Sequence, residues 1–153
     1  MRCIPVFLSI VMLVSCSMPC SAESITERII ADVEGHCSAA RTCMSAISMK
    51  SLTPFVWDRL AIFKVGSSNA EVSSALGIAY PDATDLMAGL VFANDGSIVH
   101  RERFPYYPEK PDRLSFDLKG HVTAQAFSPG DARFKVEKEI IDGKSYYFMR
   151  PAE

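Results

Sequence analysis

Residues 57–77, with the sequence WDRLAIFKVGSSNAEVSSALG, constrain the fold most because signals for a strand, a turn and a helix follow one another there. The bulky apolar residues in 56–63 predict a buried strand that holds the only tryptophan. Ser68 and Glu71 have the spacing of a capping box, in which each side chain binds a backbone N–H at a helix start. Gly77 can adopt the left-handed conformation that ends a helix. The stretch therefore predicts a core strand and a helix of about two turns.

Residues 24–47 predict an amphipathic N-terminal helix. Ser24 and Glu27 form a second capping box at its start. A bend or break is expected at Gly35, since glycine costs about 1 kcal/mol relative to alanine inside a helix. The apolar residues recur at spacings of three and four: Ile25, Ile29, Val33, Cys37, Ala40, Met44 and Ile47.

The second half of the chain predicts antiparallel strands. An Asp-Gly turn at residues 95–96 joins an apolar segment to a charged one, which predicts a hairpin whose second strand lies at or near a sheet edge. Further turn signals predict a meander of four more strands, within residues 113–118, 121–127, 133–141 and 144–150. The expected class is α+β, with the N-terminal helix and the short second helix packed on one face of an antiparallel sheet of about five to seven strands.

The domain is preceded by a leader. With 48% hydrophobic and 22% charged residues, the composition is that of one globular domain, which we assign to residues 24–153. Residues 4–14 are apolar and uncharged, too short to span a bilayer but suited to the core of a signal peptide. We therefore expect export, with residues 1–15 as the signal peptide and 16–23 as a linker.

Two processing routes are open at the end of the leader. Residues 13–16, Leu-Val-Ser-Cys, resemble the bacterial lipobox, and the resemblance implies that an acyl lipid such as palmitate is attached to Cys16. Ser17 follows the cysteine, which by resemblance to enteric lipoproteins favours the outer membrane, facing the periplasm. The alternative is ordinary cleavage after Ala22, with residues 1–22 as the signal peptide and a soluble periplasmic or secreted product.

Export places Cys37 and Cys43 in an oxidising environment, where a disulfide is the first expectation. On an unbroken helix their Cα atoms would lie roughly 10 Å apart, beyond the ~7 Å that a disulfide tolerates. Either the helix breaks between them or they pair otherwise, for example with Cys20. The same two cysteines support an alternative function, a soluble periplasmic protein with a thiol or soft-metal site, because copper(I) favours sulfur ligands.

Signature motifs of catalysis are missing from the sequence. It contains no G-x-S-x-G, P-loop, H-E-x-x-H or paired C-x-x-C motif. The net charge of −2 argues against binding to nucleic acid, which needs a basic face. The leading interpretation is therefore a protein that is not an enzyme, without catalytic residues, cofactor or metal.

Residues 105–111 contain three prolines and are expected to form an extended surface loop. Because the charged strand runs into this loop, Arg101, Arg103, Tyr106 and Tyr107 are expected to lie close together. Tyrosine and arginine are the composition that interface hot spots favour, so these four are the predicted partner-binding residues. The alternative is that the tyrosines cover the sheet.

Two resemblances bear on function. Gly66, Glu71-Val72 and Leu76-Gly77 resemble the helix segment of small outer-membrane lipoproteins of the SmpA/OmlA kind, whose fold is similar to that of β-lactamase inhibitor proteins. This resemblance covers about a dozen residues and implies a role in envelope assembly.

The second resemblance covers most of the chain after the leader. Residues 57–63, 90–92 and 132–138 together resemble a group of uncharacterised small bacterial lipoproteins, which implies no known activity. The leading hypothesis is an exported, lipid-anchored envelope protein that binds an envelope or secreted protein, as an assembly accessory or as an inhibitor or immunity protein.

Overall fold

The computed structural model describes residues 24–37, 42–83, 86–106, 113–120 and 122–152. Within these ranges three helices and eight strands are present, and the predicted α+β class is confirmed. In chain order they are α1 (Ile25–Cys37), β1 (Thr42–Ser48), α2 (Met49–Leu52), β2 (Arg59–Phe63), α3 (Asn69–Leu76), β3 (Met87–Asn94), β4 (Ser97–Pro105), β5 (Leu114–Phe116), β6 (Ala124–Phe127), β7 (Arg133–Ile141) and β8 (Lys144–Pro151).

The strands divide into two four-stranded sheets. Sheet A has the order β1-β7-β8-β5, and sheet B has the order β4-β3-β2-β6. Neighbouring strands run antiparallel except β5 and β8, which run parallel. The predicted meander was wrong beyond the β7-β8 hairpin, because turn signals show where a strand ends but not which sheet the next strand joins.

The two central strands of sheet B, β2 and β3, are buried on both faces, which explains their continuous apolar runs. On one face, Leu60 and Phe92 belong to the main core, which also contains side chains from α1 and from sheet A. On the other face, Ala61 and Phe63 pack with Val72 and other residues of the α3 region. α1 lies against β1 and β7, whereas α3 lies against β2 and β6. The two helices therefore cover different surfaces, and not the single shared face that was expected.

α3 follows its sequence prediction in full. Both halves of the capping box formed by Ser68 and Glu71 are present. Gly77 ends the helix with a φ of 74°, in the left-handed region. Because these signals act within one helical turn, no distant contact is needed to set the bounds of α3.

Trp57 lies in the core, with 6% of its surface exposed. It is not part of a strand, however, since β2 begins at Arg59 and Val56 is 78% exposed. The indole N–H of Trp57 donates to Oγ1 of Thr53 at 2.7 Å, and its ring meets Phe92 edge-on at 5.3 Å between centroids. The prediction of a buried tryptophan is confirmed, and the predicted strand began too early.

The N-terminal helix is shorter than predicted. α1 ends at Cys37, and residues 42–47, which were expected to be helical, belong to β1. Within β1, Ile47 is buried and Met44 is 50% exposed, and every residue of the strand has a register partner in β7. The helix prediction was wrong there because a few apolar residues at spacings of three and four also fit a short strand, and the pairing with β7 decides between the two.

Candidate functional site

β4 forms one edge of sheet B, as its charged sequence predicts. The N–H of Tyr106 donates to the carbonyl of Leu86 at 2.8 Å, so the backbone N–H of Tyr106 points toward the chain that leads into β3. Because hydrogen-bonded and non-bonded positions alternate along an antiparallel strand, the backbone groups of Arg101, Arg103 and Pro105 face away from β3. Two arginines and a proline without an N–H therefore occupy the open side of β4, which discourages the addition of another strand.

Arg101 and Arg103 lie on the face of sheet B that α3 covers. Arg101 forms an ion pair with Asp82, and both arginines are close enough to Tyr80 to affect its pKa. Burial raises the pKa of the Tyr80 phenol, and the positive charge of Arg103 offsets only part of that effect. The Tyr80 hydroxyl is buried and has no hydrogen-bond partner within the described residues.

Tyr106 lies at a different place, on the rim of a groove of about 420 Å³ at the end of the two sheets. Buried Leu114 and Phe116 line the groove, while Tyr106 is 47% exposed and Val65 is 39% exposed. We call this cavity the Tyr106 groove; its described lining residues are Lys64, Val65, Ala88, Tyr106, Leu114, Ser115 and Phe116.

The four predicted partner-binding residues therefore do not form one described cluster. Alternate residues of a strand point to opposite faces, so Arg101 and Arg103 lie beside Tyr80. Tyr106 lines the groove between the sheet ends. Tyr107 lies outside the described residues.

Glu102, between the two arginines in the sequence, points the other way and caps α1. Its carboxylate accepts from the backbone N–H groups of Ile25 and Thr26, the latter at 3.0 Å, and from the Thr26 hydroxyl at 2.6 Å. His100 pairs with it at 2.9 Å. Burial raises the pKa of Glu102, but these hydrogen bonds outweigh burial and hold the pKa below its usual range.

The sequence did not reveal this role of Glu102 because the cap joins residues 77 and 76 positions apart. The local signal is only half realised: the Ser24 hydroxyl accepts from the Glu27 N–H at 3.0 Å. A carboxylate on a charged edge strand has no local signal that marks it as a helix cap.

Cys37 and Cys43 form a disulfide, with Cα atoms 5.8 Å apart. Of the two alternatives from the sequence, the structure has the one in which the helix stops between the cysteines. Both sulfur atoms are used in this bond, so neither is a thiolate in this state. No group of three or more His, Cys, Asp or Glu residues that could hold a metal occurs in the part of the chain that is described.

An ion pair between the buried Lys138 and the partly exposed Glu34 lies next to the disulfide. In the register of β1 and β7, Lys138 is opposite Cys43, and the Lys138 side chain is only 4% exposed. Its ammonium donates to Glu34 at 2.8 Å, and the Tyr147 hydroxyl donates to the same carboxylate. The hydrogen bond from Lys138 is the main cause that lowers the pKa of Glu34. These contacts hold the end of α1 against sheet A.

The other edge of sheet B, β6, lies beside α3, and the space between them is an open groove of about 720 Å³. We call it the α3-β6 groove. Its described lining side chains are mostly small or polar: Ala70, Glu71, Ser74, Ala75, Val122, Thr123, Ala124, Gln125 and Ala126. The signal that the sequence offered was small residues at helical spacing, 70 and 74, and at strand spacing, 124 and 126.

Compared with known proteins, the chain matches no family model, and no curated protein and no solved structure is significantly similar to it. The two resemblances drawn from the sequence therefore stay predictions. Among the described residues, no helix is both long enough and apolar enough to cross a membrane.

Proposed function

We propose that this protein is an exported envelope protein, anchored to the outer membrane by a lipid on Cys16. We propose that it acts as a non-enzymatic module that binds another envelope or secreted protein, as an assembly accessory or as an inhibitor or immunity protein. The leader and the lipobox-like residues 13–16 support export and anchoring. Cys16 itself lies outside the described residues.

The observation that carries the binding proposal is the Tyr106 groove. Leu114 and Phe116 provide an apolar floor, and a half-exposed tyrosine stands on the rim beside Lys64. Binding energy at protein interfaces concentrates where an aromatic anchor lies next to a pocket that excludes water. An apolar side chain of a partner that entered this groove would bury both its own surface and that of Tyr106.

The test uses the full chain, tagged and crosslinked in native envelopes, so that the captured partner can be identified by mass spectrometry and then purified. Tyr106→Ala should weaken binding of the purified partner at least roughly tenfold, equivalent to about 1.4 kcal/mol. The melting temperature should shift by only a few degrees. Tyr107→Ala, at the other predicted tyrosine, is measured in the same assay.

Tyr146→Ala is the matched control, because Tyr146 is a partly exposed tyrosine of β8 that does not line the groove. It should leave the affinity unchanged. If Tyr106→Ala binds the partner as tightly as the unchanged chain, the groove is not the interface.

Anchoring has its own test. Cys16→Ser should move the protein from the membrane fraction to the soluble periplasm, because the acyl chains that would hold it in the bilayer are lost. Mass spectrometry of the mature N-terminus decides between the two processing routes. An unmodified chain that begins at Glu23 would refute the lipid anchor.

A further inference from the structure

The free side of β6 presents backbone groups that the fold leaves unpaired. The N–H of Lys64 donates to the carbonyl of Thr123 at 2.8 Å, which makes Thr123 a position that faces β2. By the alternation of an antiparallel ladder, Gln125 also faces β2, whereas Ala124 and Ala126 turn their N–H and C=O groups away from it. No described residue forms a hydrogen bond with these outward-facing N–H and C=O groups of Ala124 and Ala126.

This edge lacks the features that close β4. Ala124 and Ala126 carry neither charge nor a proline ring, and their methyl groups occupy little of the space in front of the strand. Unprotected edge strands are the usual place at which a second chain adds by backbone hydrogen bonds.

The α3-β6 groove gives an added strand room for its side chains. On the α3 side the lining residues include Ala70, Ser74 and Ala75, whose small side chains leave space in the groove. A strand that runs beside β6 would place every second side chain in this groove, because alternate residues point to opposite faces. The volume of about 720 Å³ is in the range of cavities that bind ligands.

The charge of the groove indicates which type of side chain a bound partner should carry. Glu71 is the only charged side chain among the described lining residues. Its carboxylate is held in place by the Ser68 hydroxyl and N–H, at 2.7 and 2.8 Å, and by the Thr123 hydroxyl at 2.8 Å. These hydrogen bonds, first that of the Ser68 backbone, lower its pKa and keep it ionised. A fixed negative charge at one end of the groove is complementary to a lysine or arginine.

We propose that the α3-β6 groove binds an extended peptide segment of a partner protein, which adds as a strand to the free side of β6 and places a lysine or arginine on Glu71. The inference does not depend on the Tyr106 groove, with which this groove shares no described lining residue.

The test uses the full mature chain in detergent and a panel of fluorescent nine-residue peptides. They alternate valine and threonine and carry one lysine, at a different position in each peptide. At least one peptide should bind, and saturation with it should slow amide hydrogen exchange at Ala124 and Ala126 at least roughly tenfold, as new hydrogen bonds do. Exchange at Gln125 should change little, because its N–H already faces β2.

Three substitutions separate the parts of the site. Ala126→Pro removes an outward N–H and should lower the peptide affinity at least tenfold, whereas the matched Ala126→Ser keeps the N–H and the affinity. Ser74→Trp fills the groove from α3 without changing β6, so it should also lower the peptide affinity at least tenfold. Glu71→Gln keeps the capping interaction but removes the charge. It should therefore lower the affinity for a peptide with lysine and leave the affinity for the same peptide with norleucine unchanged.

The proposal is wrong if no peptide of the panel binds, or if Ala126→Pro and Ser74→Trp both bind the best peptide with unchanged affinity. It is also wrong if sedimentation shows a dimer of this chain that Ala126→Pro dissociates, because the occupant of the edge is then a second copy.

Discussion

β4 and β6 are the two edges of the same sheet, yet they differ in length, charge and support. β4 has nine residues, and its open side carries two arginines and a proline. β6 has four residues, and its open side carries two alanines. If a sheet is to bind a partner at one edge, its other edge must be protected from pairing. β4 has the features that protect an edge strand.

The support behind the two edges differs as well. β4 is backed by an aromatic group, in which Phe55 and Phe92 lie 5.0 and 6.0 Å from the His100 ring and Trp57 meets Phe92. It is also fastened to α1 through Glu102. β6 contacts α3 through Ala124, which packs against the cluster that contains Val72 and Leu76, and through one exposed hydrogen bond from the Thr123 hydroxyl to Glu71 at 2.8 Å. β4 therefore contributes to the stability of the domain, whereas substitutions on the outer side of β6 should cost little.

The largest expected effect is on the β4 side. Trp57→Ala should lower the free energy of unfolding by about 3–5 kcal/mol, because it leaves a cavity beside Phe92 in the core. Denaturant melts measure the loss. Val56→Ala is the control, since Val56 is 78% exposed and its truncation should change stability by less than about 0.5 kcal/mol. A loss below about 1 kcal/mol for Trp57→Ala would show that the tryptophan does not support this edge.

The next effect concerns the cap of α1. Glu102→Ala should cost about 2–3 kcal/mol, because hydrogen bonds to a charged group are lost and two N–H groups of α1 lose their partner. Circular dichroism during denaturant unfolding measures it. Glu71→Ala, which removes the corresponding carboxylate beside β6, should cost clearly less because Glu71 is exposed to water. Equal losses would remove the contrast between the two edges.

The same carboxylate predicts a pH dependence. The pKa of Glu102 is lower in the folded protein than its usual value of about 4.5. Its contribution to stability is therefore fully present above the unfolded-state pKa and is lost as the pH falls through the folded pKa. Thermal melts from pH 6 down to pH 3, about the range in which a carboxylate titrates, should show a steeper fall for the unchanged chain than for Glu102→Ala. Parallel curves would mean that Glu102 does not carry the acid sensitivity.

Two neighbouring proline substitutions test which side of β6 is open. Gln125→Pro should cost at least about 2 kcal/mol, since it removes an N–H that faces β2 and leaves its acceptor unpaired. Ala126→Pro should cost less than about 1 kcal/mol, because that N–H faces away from the sheet. Urea melts of the two variants give the difference. If Ala126→Pro cost more than Gln125→Pro, the register of β6 would differ by one residue, and the N–H groups of Ala124 and Ala126 would face β2.

The smallest expected effect on stability is at Arg101, on edge strand β4. Arg101→Ala breaks the ion pair with Asp82, but the two side chains are 49% and 32% exposed. Surface pairs of this kind contribute about 0–1 kcal/mol, so the unfolding free energy should change by less than about 0.5 kcal/mol. Arg103→Ala, without an ion-pair partner among the described residues, provides the comparison in the same melts. A loss above about 1 kcal/mol at Arg101 would mean that this edge depends on its charges for stability.

The structure brought together residues of the candidate site that sequence patterns kept apart. Tyr106 was singled out by its place in a proline-rich loop, but its groove depends on β5, which enters sheet A next to β8. The α3-β6 groove joins a helix and a strand that no local pattern connects. Arg101 and Arg103 were expected beside Tyr106, and the alternation of the strand separates them from it.

By itself the sequence determined the features whose causes lie within one turn of chain. The bounds of α3 follow from Ser68, Glu71 and Gly77, and the two hairpin turns follow from residues at positive φ, Asp95 with Gly96 and Asp142 with Gly143. Only the tertiary structure decided that residues 42–48 are a strand, that the strands form two sheets, and that Glu102 caps α1. The physical reason is range: caps and turns are satisfied by neighbours, whereas a ladder partner or a buried carboxylate is chosen by contacts across the whole core.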